Sequence, residues 1–267
     1  FFGFLAWVAL VIFGIAISCA AVPTRDPYSL DIAYGSNIKT LDSGNIGDTT
    51  SSSIAGNIFE TLYNYDYTAR PYRLIPELAS GMPQISDDGL TWTIKLKPGI
   101  HYFDPDAKIP GWEPIRDDHG KLLGSEGPAV TANDFIYAWK RIADFHQASQ
   151  NYSAIFEDRI NGLAAWRTYT KNTPPDKIDW SRPVSGFAAP DDDTLQITLP
   201  QPYPQLRYNL AHLPTAPICK SAADYWGDNL KHHPIGTGPY VLREQLPEQR
   251  IVITGNPINR GDSGVPA

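Results

Sequence analysis

The chain has 267 residues, enough for one large domain or two small ones with a sizeable core. Its 22 Lys+Arg against 29 Asp+Glu give a formal charge of −7 with no basic run, which argues against nucleic acid as a partner. With 24 prolines, 21 glycines and 12% aromatics the composition is that of a turn-rich folded body, since disorder needs few aromatics and a high net charge.

The first segment, "FFGFLAWVALVIFGIAISCAAVP", carries no charge. At 1.5 Å per residue, about 20 such residues span roughly 30 Å, the hydrocarbon thickness of a bilayer. It lacks the polar stripe of a core helix. Two readings stay open for residues 1–23: a secretory signal whose apolar region is cut away, and a retained membrane anchor. The residues "AISC" ahead of Ala20 resemble a bacterial lipoprotein box, with Cys19 as the lipidated residue and Ala16 where Leu is more usual. Lipidation would remove Phe1 to Ser18, and their presence in the chain favours the anchor. A start at Phe1, without Met or a basic stretch, implies residues further upstream. On either reading the body lies outside the cytoplasmic membrane or is tethered to it.

A linker at 24–29 follows. "LDIAYG" (30–35) alternates apolar and polar residues and is expected as a strand. Residues 36–48 are a polar loop. "TTSSSIAGNIFETLYNYD" (49–66) is expected as a helix capped by its Ser and Thr residues, with Ile54, Ile58 and Leu62 recurring every four positions. In "ISDDGLTWTIKLKPGI" (85–100), Asp88-Gly89 marks a turn, and Leu90, Trp92, Ile94 and Leu96 fall on one face of a strand. Residues 101–129 are expected as a long irregular insertion; its Trp112 is the best candidate among the tryptophans for a surface contact, with packing the favoured reading. "VTANDFIYAWKRIAD" (130–144) is expected as a helix, with capping-box spacing at Thr131 and Asp134 and an apolar stripe of Phe135, Trp139 and Ile142. Residues 153–172 form a second helical region, and 173–183 a proline-rich loop. "GFAAPDDDTLQITLPQP" repeats the strand pattern, with Leu195, Ile197 and Leu199 inward. A partly helical stretch, a short helix at 221–230 and two strands, "PYVLREQL" and "QRIVITGN", complete the chain. This irregular interleaving indicates an α+β or mixed α/β body.

The candidate chemistry is sparse. "IGTGPY" (235–240) has two glycines but neither the Lys-Ser/Thr of a P-loop nor a helix after it, so a phosphate cradle is excluded in favour of a tight turn using left-handed glycines. The six histidines, including the pair His232-His233, show no zinc-ligand spacing, and no metal or cofactor is expected. Acidic clusters at 117–118 and 191–193 suit turns, and "DPDAKIPGWEPI" does not fit a calcium loop. "GDSG" (261–264) falls in the tail, and no G-x-S-x-G occurs. Cys219 has the setting of a small packing residue, and no residue is put forward as catalytic.

Several segments occur in a known order: "LDSGNIGDTTSSSIAGNIFETLYNYD", "LIPELASGMPQISDDGLTWTIKLKPGIHYFD", "VTANDFIYAWKRIAD", "FAAPDDDTLQITLPQPYP" and "IGTGPYVLREQLPEQRIVITGNP". Together they resemble the extracellular solute-binding proteins of family 5, the dipeptide-, oligopeptide- and nickel-binding receptors of bacterial ABC importers. The resemblance covers about residues 28–259. It departs from the family pattern at residues 104–128, and in "NPINRGDSGVPA", which stands where the family continues with roughly as much chain again.

The resemblance implies a type II periplasmic-binding-protein-like lobe at 30–259, with a core subdomain (30–76 and 184–259), an inserted subdomain (77–183) and a tail at 260–267. It implies a second lobe, absent here, that closes over the solute by a hinge. Lobe one's ligand face would comprise Ser36, Asn37, Thr50 and Ser51. The implied partners are a peptide or small solute, an ABC permease or other membrane complex subunits, and the membrane through residues 1–23. Two functions follow: the extracytoplasmic peptide-type receptor of an ABC importer, present as a truncated lobe, or a membrane-anchored, ligand-free structural subunit of a larger complex.

Overall fold

The computed structural model describes residues 29–261; the apolar segment 1–23, Cys19 and residues 262–267 lie outside the described residues. Residues 1–35 and 36–267 are separate compact units. In the first, residues 29–35 have no regular structure, and Leu30 and Ile32 are 79% and 61% exposed. The strand expected at 30–35 is therefore not formed. Alternation equips a segment for a sheet, but a strand also needs a ladder partner, and none pairs with it among the described residues.

The first α-helix of the second unit is α1 (Thr49–Ala55), which is shorter than the helix expected over 49–66. Its cap is Asp48, whose carboxylate accepts the Ser51 N–H at 2.8 Å, rather than one of the Ser or Thr residues. Gly56 closes the helix, and the chain then turns into β1 (Tyr63–Tyr65), paired antiparallel with β2 (Leu74–Pro76). The spacing of Ile54, Ile58 and Leu62 serves burial without one continuous helix. The first two enter a smaller apolar cluster with Leu41, Phe59 and Leu242, whereas Leu62 enters the main core.

The main sheet has the order β3 (Gln84–Ile85), β4 (Thr91–Lys95), β9 (Thr194–Thr198), β8 (Phe187–Asp191), all antiparallel. Trp92 faces Ile197 and Ile94 faces Leu195, so the two alternating patterns meet on one buried face. This ladder crosses the subdomain boundary expected at 183/184. Helix α2 (Ala132–Ala143) packs on β8 and β9. Its Asp134 carboxylate accepts the Thr131 N–H at 2.8 Å, as the capping spacing predicts. Trp139 is buried against Phe156 and Phe187, with ring centroids 5.5 and 5.4 Å away, and its indole N–H donates to the Thr215 carbonyl at 3.0 Å.

The stretch expected as an irregular insertion is a three-stranded sheet, β5 (His101–Asp104), β7 (Leu122–Ala129), β6 (Glu113–Arg116), in the order β5-β7-β6. Gly, Pro and charged residues fill its alternate positions and hide the period of two. Turn chemistry supplies the connections: the buried Asp104 carboxylate accepts from the N–H groups of Asp106, Lys108 and Ile109, and Asp117 accepts from those of His119 and Lys121. Trp112 packs over Gly127, where a Cβ would lie 2.6 Å from its ring, so it belongs to this sheet and the main core.

The second helical region is broken. A π-helical turn (Tyr152–Phe156) precedes α3 (Leu163–Lys171), with Gly162 at φ 76° between them. Short helices α4 (Leu206–Asn209) and α5 (Lys220–Trp226) lead to the hairpin β10 (Tyr240–Leu246) and β11 (Arg250–Gly255). Cys219 is a buried packing residue, and burial pushes its thiol pKa up. No helix among the described residues is long and apolar enough to cross a membrane.

Candidate functional site

Four residues were expected at a ligand face, and the fold brings three of them together. Ser36 Oγ and Thr50 Oγ1 are 2.7 Å apart, and the Lys39 N–H donates to Ser51 Oγ at 3.1 Å. The Ser51 hydroxyl donates to Asp48 Oδ2 at 2.8 Å. Burial works to raise the Asp48 pKa, but the bonds from Ser51 and the Lys39 charge bring it below the ordinary value. The loop from Ser36 is thus fastened to the first turn of α1. Ser51 is fully buried with its hydroxyl engaged at both ends, so it supports this loop and does not present itself to solvent. Ser36 and Asn37 are exposed on the loop, and Thr50 is buried beneath Ser36.

The glycine turn lies against the exit of α1. The Gly238 N–H donates to the Ile58 carbonyl at 2.8 Å, and that of Tyr240 to the Asn57 carbonyl at 3.0 Å. A Cβ on Gly236 or Gly238 would come within 2.0 or 2.7 Å of the Ile58 carbonyl oxygen. Neither glycine has a positive φ, so the left-handed turn expected there is replaced by close backbone approach. On the other side, Asn256 Nδ2 donates to the Gly238 carbonyl at 2.9 Å and Asn259 Nδ2 to that of Thr237 at 3.3 Å. The Gly238 and Thr237 carbonyls are thus occupied by protein, whereas the buried Thr237 hydroxyl has no hydrogen-bond partner among the described residues.

Buried charges brace these segments. Arg141 on α2 grips Asp42 through both terminal nitrogens at 3.2 and 2.9 Å. Arg260 does the same to Glu60 at 3.1 and 2.8 Å. Glu77 accepts the Thr61 N–H at 2.7 Å and Asn64 Nδ2 at 2.8 Å. Burial pushes its pKa up to about 7, with help from the Glu60 charge and against these hydrogen bonds. Sequence reading missed all three carboxylates, because the partners of Asp42 and Glu60 are 99 and 200 positions away.

The histidine pair is not simply solvated. His233 stacks on Trp226 with centroids 3.5 Å apart, and its Nδ1 lies 3.2 Å from Asp106. No cluster of His, Cys, Asp and Glu among the described residues could hold a metal ion.

Residues 73–258 match the family described as bacterial extracellular solute-binding proteins, family 5 Middle. The periplasmic oligopeptide-binding protein OppA of Escherichia coli K12 is 28% identical over 244 residues, covering 89% of this chain and 38% of the relative. The glutathione-binding protein GsiB of Shigella flexneri is 29% identical over 233 residues, 87% of this chain and 35% of the relative. Among solved structures, the substrate-binding domain of an oligopeptide ABC transporter from Bacillus anthracis superposes with a TM-score of 0.64 at 26% identity, covering 84% of this chain and 37% of that one. A periplasmic oligopeptide-binding protein of Borrelia burgdorferi gives 0.66 at 24% identity, covering 86% and 39%, a likeness of fold. The chain thus spans somewhat more than a third of the length of these relatives. Its mixed α/β fold and the match over most of its length agree, and the chain belongs to the family 5 bacterial extracellular solute-binding proteins.

Proposed function

We propose that this chain forms one lobe of a peptide-type solute receptor that delivers its ligand to an ABC permease on the extracytoplasmic face, acting by binding and not by catalysis. The observation that carries this reading is the family match over residues 73–258, with oligopeptide- and glutathione-binding relatives aligned across most of the chain. Solute is gripped between this lobe and a second supplied by further chain, which the 38% coverage of OppA leaves room for. Ser36 and Asn37 meet the solute, while Thr50 and Ser51 hold their loop to α1. Titration calorimetry of the full-length gene product with tri- to pentapeptides tests this. Micromolar binding, weakened about tenfold by Asn37→Ala at unchanged melting temperature, is the expected result. No heat of binding at millimolar peptide overturns it.

The charge-free run at residues 1–23 favours tethering of this receptor to the cytoplasmic membrane. Retention in the membrane pellet after alkaline extraction is expected, and intact mass decides between a retained segment and a chain beginning at lipidated Cys19. The same run supports the second reading, a ligand-free subunit of a membrane complex. That reading predicts co-purification with other membrane subunits and no peptide binding.

A further inference from the structure

A groove of about 370 Å³ opens beside α2, and none of the four residues expected at the solute face lines it. Its floor is the buried Asp42–Arg141 pair. Asn45 Nδ2 donates to Asp42 Oδ2 at 3.1 Å and to Gln147 Oε1 at 3.3 Å, and both amides line the groove. One wall is aromatic. Tyr137 meets Trp180 edge-on with centroids 5.3 Å apart, and Trp180 leans on Trp166 at 5.5 Å. Lys140 donates to the backbone carbonyls of Trp180 and Arg182, so this wall is held in place before any ligand arrives. Asp228 and Lys231 stand exposed at the rim.

Three properties of the groove select a ligand. Its charges cancel, since Asp42 and Arg141 neutralise each other and the rim carries one carboxylate and one ammonium. A net ionic ligand gains little from such a field. Donors and acceptors stand together: the Arg141 guanidinium, the side-chain amides of Asn45 and Gln147, and the Tyr137 hydroxyl, which makes no hydrogen bond within the described residues. Burial pushes the Tyr137 pKa up to about 12, against the opposing effect of Arg141, so the phenol remains a donor through the physiological range. The aromatic wall offers flat apolar surface beside these groups. A neutral molecule with hydroxyls around its edge and C–H groups on its face matches all three. We propose that this groove is a saccharide-binding site, distinct from the solute face.

The test is saturation-transfer NMR and calorimetry on the full-length protein with glucose, N-acetylglucosamine and maltose. Binding at about millimolar affinity or tighter is expected for at least one of them. Tyr137→Phe should weaken it about threefold to tenfold without moving the melting temperature, and Lys231→Ala or Asp228→Ala should change it less than about twofold, since the rim charges are not needed. Three outcomes overturn the proposal: no transfer at about 10 mM of any saccharide, affinity unaffected by Tyr137→Phe, or a loss of binding in either rim variant. Preferential binding of a free amino acid that depends on Tyr137 also overturns it, because that would make the groove a zwitterion site. The rim variants involve exposed side chains, so their readout does not depend on a tolerant core.

Discussion

Glu77 holds an ionisable group where its charge is costly. Its folded pKa of about 7 stands above the ordinary 4.5, so the folded state favours the neutral acid. The unfolded chain releases this proton first as pH rises. The contribution to stability is therefore complete below about pH 4.5 and is lost as pH climbs toward about 7. At roughly 1.4 kcal/mol per pH unit this amounts to about 3 kcal/mol. Urea midpoints should fall between about pH 5 and pH 8 in the parent and stay flatter in Glu77→Gln; parallel curves would rule out Glu77 as the source. The Asp42–Arg141 pair behaves differently, because both members are buried and each satisfies the other. Asp42→Ala leaves an uncompensated guanidinium and should cost about 3–5 kcal/mol in chemical denaturation. A loss under about 1 kcal/mol would mean that Arg141 finds another partner.

At the scale of elements, the contact between the glycine turn and the end of α1 is decided by backbone geometry. Gly238→Ala places a methyl group against the Ile58 carbonyl and disturbs the 2.8 Å hydrogen bond beneath it. Soluble yield or melting temperature should drop well beyond the effect of Gly255→Ala, whose added Cβ meets nothing within 4 Å. Equal effects would show that close approach is not what the turn requires. Helix α2 is anchored by Trp139, and Trp139→Ala should destabilise the fold by about 3–5 kcal/mol, since it empties a site shared with Phe156 and Phe187. α2 and the β4 and β8–β9 strands were legible because period and capping signals agree over consecutive residues. The β5–β7–β6 sheet was not, because its pairing depends on Asp-built turns and on glycines under the Phe103 and Trp112 rings.

At the scale of the molecule, the main core draws residues from Leu62 to Ile235, and a smaller cluster joins Leu41 and the end of α1 to Leu242 in β10. The late hairpin thus packs back on the start of the described fold, and the exposed Ser36–Asn37 loop stands on a braced platform. The peptide titration tests the proposed receptor at this level, since one lobe of a clamp would bind through what it presents and what closes over it. If Asn37→Ala leaves peptide affinity intact while the parent binds, the solute face lies elsewhere on the lobe.

The sequence by itself determined the strongly periodic elements, the family, the absence of nucleotide-loop and zinc spacings, and the order of segments along the chain. Each depends on residues close together in the chain, where spacing translates directly into a face or a cap. Only the tertiary structure decided that residues 30–35 join no sheet among the described residues, that α1 stops at Ala55, that residues 101–129 are a sheet, and that the two turn glycines serve close packing. It alone joined Asp42 to Arg141 and Glu60 to Arg260. Such pairings depend on how distant segments pack, and neither the composition nor the period of one segment encodes its partner.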